Sequence, residues 1–153
     1  MATRREALKV LGLGPMLLRP TLFEQLAEAQ TTAPSAASAS GGSGVTIREM
    51  LSYPLPAIGR NGTMAVVELA PGAGSPPHRH PGPVFGYVLE GTIESALENG
   101  ATLTYQAGDM WYEASRNLHR VARNPSASTP AKILVFFILD KGQPLLIPAG
   151  DRT

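Results

Sequence analysis

The chain contains three histidines, and their spacing is the feature that suggests chemistry. His78 and His80 are separated only by Arg79, and His119 follows much later in the chain. Side chains on a strand repeat with period two, so both imidazoles of the pair project from one face and can reach one ion. Three imidazoles converging from two strands cap one side of a metal and leave its other positions open. A catalytic site needs such open positions, and a closed structural site lacks them. Imidazole ligation suits iron, copper, nickel or zinc better than magnesium or calcium, and manganese stays in the set because supply often decides occupancy. The expected cofactor is therefore one divalent transition metal (Fe, Cu, Ni, Zn or Mn) on His78, His80 and His119. The competing account is a core in which the imidazoles merely hydrogen-bond, but three histidines gathered at one point argue for ligation. The sequence holds no cysteine, which excludes a thiolate site, a disulfide framework and a cysteine nucleophile together.

The elements that would carry these residues are short strands. Sixteen glycines and fourteen prolines in 153 residues favour many turns over long helices. Apolar alternation predicts strands at 45–51, 63–69, 85–89, 92–97, 102–105, 110–113, 118–122 and 133–139. Glu98-Asn99-Gly100 is read as a type I′ hairpin turn, because Asn-Gly accepts positive φ. The run Ile133 to Leu139 is apolar on both faces, so it is expected to be covered from both sides. No stretch of this region has a 3.6-residue period. Strands at this spacing mean an all-β sandwich or barrel over residues 45–148, with a short tail at 149–153.

The preceding chain is of a different kind. Residues 1–30 begin Thr3-Arg4-Arg5 and continue into an apolar run from Val10 to Leu18, the parts of an export signal. The run is too short to span a bilayer, which takes ~20 residues. Thr-Arg-Arg with Leu8 and Lys9 close behind resembles a twin-arginine signal, which implies a periplasmic or extracytoplasmic location. The alternative is a cytoplasmic protein with an amphipathic helix here, Thr3 as N-cap and Glu6 closing a capping box. Residues 31–44 are Thr, Ala, Ser, Pro and Gly throughout and are read as a flexible linker. The formal net charge of +1 offers no basic surface for nucleic acid.

Within the strand-rich part, Gly72, five residues, His78-Arg79-His80 and then Gly91 resemble the first motif of the cupins. Gly108-Asp109-Met110-Trp111-Tyr112-Glu113 through His119 to Asn124 resembles their second, and Tyr87-Val88-Leu89-Glu90-Gly91 lies between. The resemblance spans roughly residues 63 to 139 and is to small single-domain bacterial cupins. It implies an antiparallel jelly-roll barrel with the metal inside near one end, behind an N-terminal helical or flexible extension. It also implies a homodimer paired through sheet edges, and the doubly apolar strand at 133–139 agrees with that.

The sequence departs from the family pattern in three places. The first motif has a glutamate ligand after the histidine pair, and Val84 stands in its place. Ala114 and Arg116 occupy the proline and glycine positions ahead of the last histidine, and Asn124 falls one residue late. The loss of the carboxylate alters the inferred chemistry: three neutral imidazoles leave the full +2 charge on the ion, which favours anionic groups such as an enolate or carboxylate. If position 84 faces the metal, Gly86 and Val88 face it too and leave a roomy, dry pocket. Tyr105 is a further candidate for the pocket wall, although packing is the commoner role for a barrel tyrosine. Trp111 is read as packing on the same ground. Glu113 could replace the carboxylate or act as a general base, but a solvated strand end is the simpler expectation. Arg116 and Arg120 could flank the pocket mouth. No catalytic side chain is assigned. The expected function is a metal-dependent enzyme of dioxygenase-like or related chemistry, acting on a small organic molecule with the histidines as ligands. The alternative is an exported module that binds a metal or small ligand without turnover.

Overall fold

The strands form as the alternation predicts and reach further at several ends. A computed structural model describes residues 38–40 and 42–150, with side chains from 42 onward. The export segment at 1–30, most of the linker and the last three residues lie outside the described residues. In order, the strands are β1 (Ser38–Ser40), β2 (Val45–Leu55), β3 (Arg60–Leu69), β4 (Gly74–Ser75), β5 (His78–Arg79) and β6 (Val84–Glu90). They continue as β7 (Thr92–Leu97), β8 (Leu103–Gln106), β9 (Met110–Glu113), β10 (Leu118–Arg123), β11 (Ala131–Leu139) and β12 (Ile147–Pro148). One 3₁₀ turn, Pro56–Ile58, joins β2 to β3. β1 falls within the stretch read as a linker and pairs antiparallel with β2.

Two antiparallel sheets result. The first runs β1-β2-β3-β11-β6-β9; the second runs β12-β5-β10-β7-β8, with β4 also pairing with β10. Both are open. The expected closed jelly-roll β-barrel is therefore not formed: among the described residues no ladder joins the end strands of either sheet into a ring. Inward and outward alternation is the same in a two-sheet sandwich and in a barrel. Strand patterning could thus place the core but could not decide closure, and the barrel rested on family resemblance.

The core lies on the inner face of the first sheet. Ala65, Leu69, Val84, Val88, Val135 and Phe137 are buried there, and Ile93 meets them from the second sheet. β11 is central, paired with β3 on one side and β6 on the other. Its burial alternates strictly, with Ile133, Val135 and Phe137 inward and Leu134, Phe136 and Ile138 half-buried outward. That is why the run reads as apolar on both faces.

The turn after β7 differs from expectation. The Gly100 N–H bonds the Leu97 carbonyl at 2.9 Å, and the positive φ, 47°, falls on Glu98. Asn-Gly therefore sits one place too late to form a type I′ pair, which needs positive φ at both central residues. Glu98 is held instead by its own bonds, its N–H to the Leu118 carbonyl at 2.7 Å and its carboxylate to the Leu118 N–H at 2.7 Å.

Candidate metal centre

β5 and β10 bring the histidines together. His78 lies directly opposite His119 in their ladder, and His80 follows just past the end of β5. The ring centroids are 4.8 Å apart for His78 and His80, 5.1 Å for His78 and His119, and 6.4 Å for His80 and His119. One ligating atom from each histidine falls within 4.8 Å of the others, and all three residues are buried. A buried three-histidine cluster able to coordinate a divalent metal is thus present.

Each ring is held from behind. His78 Nδ1–H donates to the Pro76 carbonyl at 2.8 Å, and His80 Nδ1–H donates to the Leu145 carbonyl at 2.6 Å. A carbonyl can only accept, so both protons sit on Nδ1 and both Nε2 lone pairs are free. His119 Nε2 is 2.8 Å from the Ser95 hydroxyl, which can accept its proton and leave Nδ1 open. Outer partners of this kind fix tautomer and ring orientation at metal centres. Burial is the main force lowering the His78 pKa, to about 4, with the neighbouring His80 charge adding to it. Burial likewise lowers His80, against the opposing pull of Glu113. Imidazoles that stay neutral are the form a metal needs.

Glu113 belongs to the same cluster. It is 2% exposed, so the solvated strand end expected for it is not what the fold makes. Its Oε1 accepts the Trp111 indole N–H at 2.9 Å and lies 3.2 Å from His119 Nδ1. Its Oε2 lies 3.7 Å from His80 Nε2. Burial pushes this carboxyl upward, but the close approach and charge of His119, the charge of His80 and the Trp111 bond outweigh it and lower its pKa. Among the described residues, Glu113 Oε2 and His119 Nδ1 are buried side-chain atoms with no hydrogen-bond partner. Two unpartnered polar atoms in one buried cluster fit the presence of a cation there, because an unsatisfied buried polar atom is otherwise costly.

The cluster opens into a cavity of about 60 Å³ whose wall is largely aliphatic, including Ile47, Leu69, Ile133, Val135 and Leu146. Phe137 flanks it with its ring 5.3 Å from that of His80. The polar groups on the wall are the histidines, Glu113, Ser75 and the Trp111 indole.

A family model described as Cupin domain matches residues 65–137. Solved structures agree with it. A predicted oxalate decarboxylase from Thermotoga maritima aligns with a TM-score of 0.55 at 24% identity, over 69% of this chain and 92% of that one. The polyketide cyclase RemF from Streptomyces resistomycificus gives 0.57 at 20% identity, over 76% and 82%. The domain has the cupin-superfamily fold. The DMSP lyase DddQ from Ruegeria pomeroyi also aligns, with a TM-score of 0.52 at 23% identity over 57% of this chain, which spans only 43% of the lyase. No curated protein matches the sequence.

The cupin motif departures acquire structural meaning. Val84 is buried in the core and stands in register opposite Glu113 of β9. Val88 is likewise a core residue, and Gly86 lies against the Trp111 ring. Tyr105 packs on Trp111 with ring centroids 5.1 Å apart. Of these positions, the cavity wall includes Glu113. Arg116 takes the place of the motif glycine and adopts the left-handed φ that a glycine would supply, 63°. Its N–H bonds the His80 carbonyl at 2.8 Å, tying the β9–β10 turn to a ligand. Arg120 bonds the carbonyls of Glu98 and Gly100 rather than the cavity. Asn124, one residue late in the motif, is fully buried and gives its amide to the carbonyls of Leu69, Ala70 and Thr129.

Ser95 and the Leu145 carbonyl were not anticipated. A serine at an inward position two residues after Ile93 was a legible signal. A backbone carbonyl leaves none, since every residue has one.

Proposed function

We propose that this cupin is a metal-dependent enzyme acting on a small organic molecule at the His78-His80-His119 centre. The observation that carries the reading is the buried three-histidine cluster on the wall of a cavity otherwise lined largely by aliphatic side chains. A bound metal would supply Lewis acidity and sites for substrate and a second small ligand. The histidines hold it; the aliphatic wall excludes water and takes the apolar body of the substrate. A carboxylate or enolate oxygen on the substrate suits the remaining positive charge. Oxygenation is the preferred reaction type, since one ion with open positions can hold substrate and dioxygen together. The similar structures carry names of a decarboxylase, a cyclase and a lyase, and one fold serving several reactions means the site rather than the scaffold sets the chemistry.

Elemental analysis of the full chain beside a His119→Ala variant tests the centre. About one equivalent of transition metal, lost in the variant, is expected for a single site. Iron-loaded protein under air, offered small carboxylates and enolisable ketones, should then consume dioxygen. Substrates bound but recovered unchanged would instead support a binding module without turnover.

Two further parts of the reading concern the whole protein. A homodimer is supported by the outer face of the first sheet, where Phe85, Tyr87, Leu89, Met110 and Tyr112 are exposed together. Phe85 and Tyr112 stack with centroids 5.2 Å apart on that face. A contiguous apolar patch of this kind marks an interaction surface. Light scattering on Tyr112→Arg should give a smaller mass than the parent if the patch joins two copies. Export is supported by Thr3-Arg4-Arg5, and changing both arginines to lysine should hold the protein in the cytoplasm. No helix among the described residues is long and apolar enough to cross a membrane.

A further inference from the structure

We infer that Glu113 is a fourth protein ligand of the centre, delivering from β9 the carboxylate that Val84 on β6 cannot. The inference rests on the metal-centre reading and adds a ligand to it.

Position is the first argument. Val84 and Glu113 are directly paired across the β6–β9 ladder. Residues opposite one another in an antiparallel pair project from the same face with neighbouring Cβ atoms. Both are buried, so a carboxylate issued from either strand enters the same inner space. A carboxylate has moved across one ladder rather than disappeared.

Spacing is the second. Metal–nitrogen and metal–oxygen bonds of about 2.0–2.2 Å at angles between square and tetrahedral place neighbouring ligand atoms about 2.8–3.6 Å apart. The open oxygen, Oε2, lies 3.7 Å from His80 Nε2, just beyond that span, and the anchored Oε1 lies 3.2 Å from His119 Nδ1. Oε2 has no hydrogen-bond partner, and neither has His119 Nδ1. Oε1, by contrast, is fixed by the Trp111 indole. The carboxylate is therefore anchored through one oxygen and open through the other, the arrangement of a monodentate ligand held by an outer hydrogen bond.

The third argument is how room is made. Trp111 lies opposite Gly86, and a methyl group at position 86 would overlap its indole ring. The glycine thus admits the tryptophan that orients Glu113. Val84, Gly86, Trp111 and Glu113 act as one unit on two paired strands. With Glu113 bound, the centre carries a net charge of +1 rather than +2, and the Lewis acidity expected of three imidazoles alone is moderated.

The test uses the full chain, stripped with EDTA and titrated with Co²⁺ against a chromophoric chelator, with the visible d–d spectrum recorded. Glu113→Gln should bind Co²⁺ at least about 10-fold more weakly and show an altered d–d spectrum. Adding Val84→Glu to that variant should recover most of the affinity. Parent affinity and parent spectrum in a folded Glu113→Gln protein overturn the inference. So does weaker binding with an unchanged spectrum, which would make Glu113 a positioning residue acting through His119. Should the glutamine variant fail to fold, Glu113→Asp keeps the charge and withdraws the oxygens. Parent-like binding there is equally fatal. A parent that binds no Co²⁺ defeats the metal-centre reading itself, and that result is distinct from the others.

Discussion

His78 and His119 are cross-strand partners in the β5–β10 ladder, with ring centroids 5.1 Å apart. This pairing turns two distant sequence positions into the base of a metal centre, with His80 closing it from the end of β5. Register, rather than proximity in sequence, therefore sets the ligand geometry, and several consequences can be measured.

Metal should stabilise the fold strongly, because the three imidazoles converge on one point only in the folded state. At metal concentrations 100 to 1,000 times Kd, binding contributes about 3–4 kcal/mol. For a domain of this size that raises Tm by more than about 10 °C. Calorimetry with Zn²⁺ and Ni²⁺, before and after EDTA, checks this, and His119→Ala should remove most of the shift.

The apo protein should lose stability in acid. His78 takes up a proton near 6.5 when unfolded but only near 4 when folded. Between those values the unfolded chain holds more protons, so stability falls as pH drops from 6.5 towards 4 and then levels off as far as His78 is concerned. His80, also lowered, acts in the same sense. Glu113, whose pKa is lowered from 4.5, adds a loss below that pH as the folded carboxylate is protonated. Melting curves of EDTA-treated protein from pH 7.5 to 4 should show the decline, and His78→Asn should flatten its upper part.

Arg116 holds a left-handed φ of 63° where the family pattern has glycine. Comparing Arg116→Gly with Arg116→Ala isolates the backbone, since both remove the same side chain. The glycine variant should be more stable by about 1 kcal/mol, because a Cβ in this conformation costs about 1–2 kcal/mol. Urea unfolding of the two proteins is the measurement. Equal midpoints would show that the turn relaxes at no cost.

Asn124 satisfies three carbonyls from two segments, at Leu69, Ala70 and Thr129, and accepts the Ser126 N–H at 3.0 Å. Removing it leaves buried acceptors unpaired. Asn124→Ala should cost about 2–3 kcal/mol with metal stoichiometry unchanged, since the residue holds the loop after β10 rather than the ion. Denaturant unfolding together with elemental analysis separates these effects.

Much of this was legible in the sequence for a local reason. Side-chain alternation is a property of each strand, so the eight main strands, the inward set on β11 and the shared face of His78 and His80 could be read directly. The three-histidine cluster was also legible, since no other histidine or cysteine competes with its members. Glu113 could be read only as a choice between roles. Its burial depends on β9 pairing with β6, and nothing in Met110–Glu113 specifies that partner. The same holds for Ser95 behind His119 and for the Leu145 carbonyl behind His80, which lie 24 and 65 residues away from the rings they hold. Closure was beyond the sequence too, because alternation is identical whether end strands join or stay apart. Local chemistry thus determined which residues face inward and which can ligate. Tertiary structure decided which strands neighbour one another, and through them that Val84 and Glu113 stand on one spot and that two open sheets enclose it.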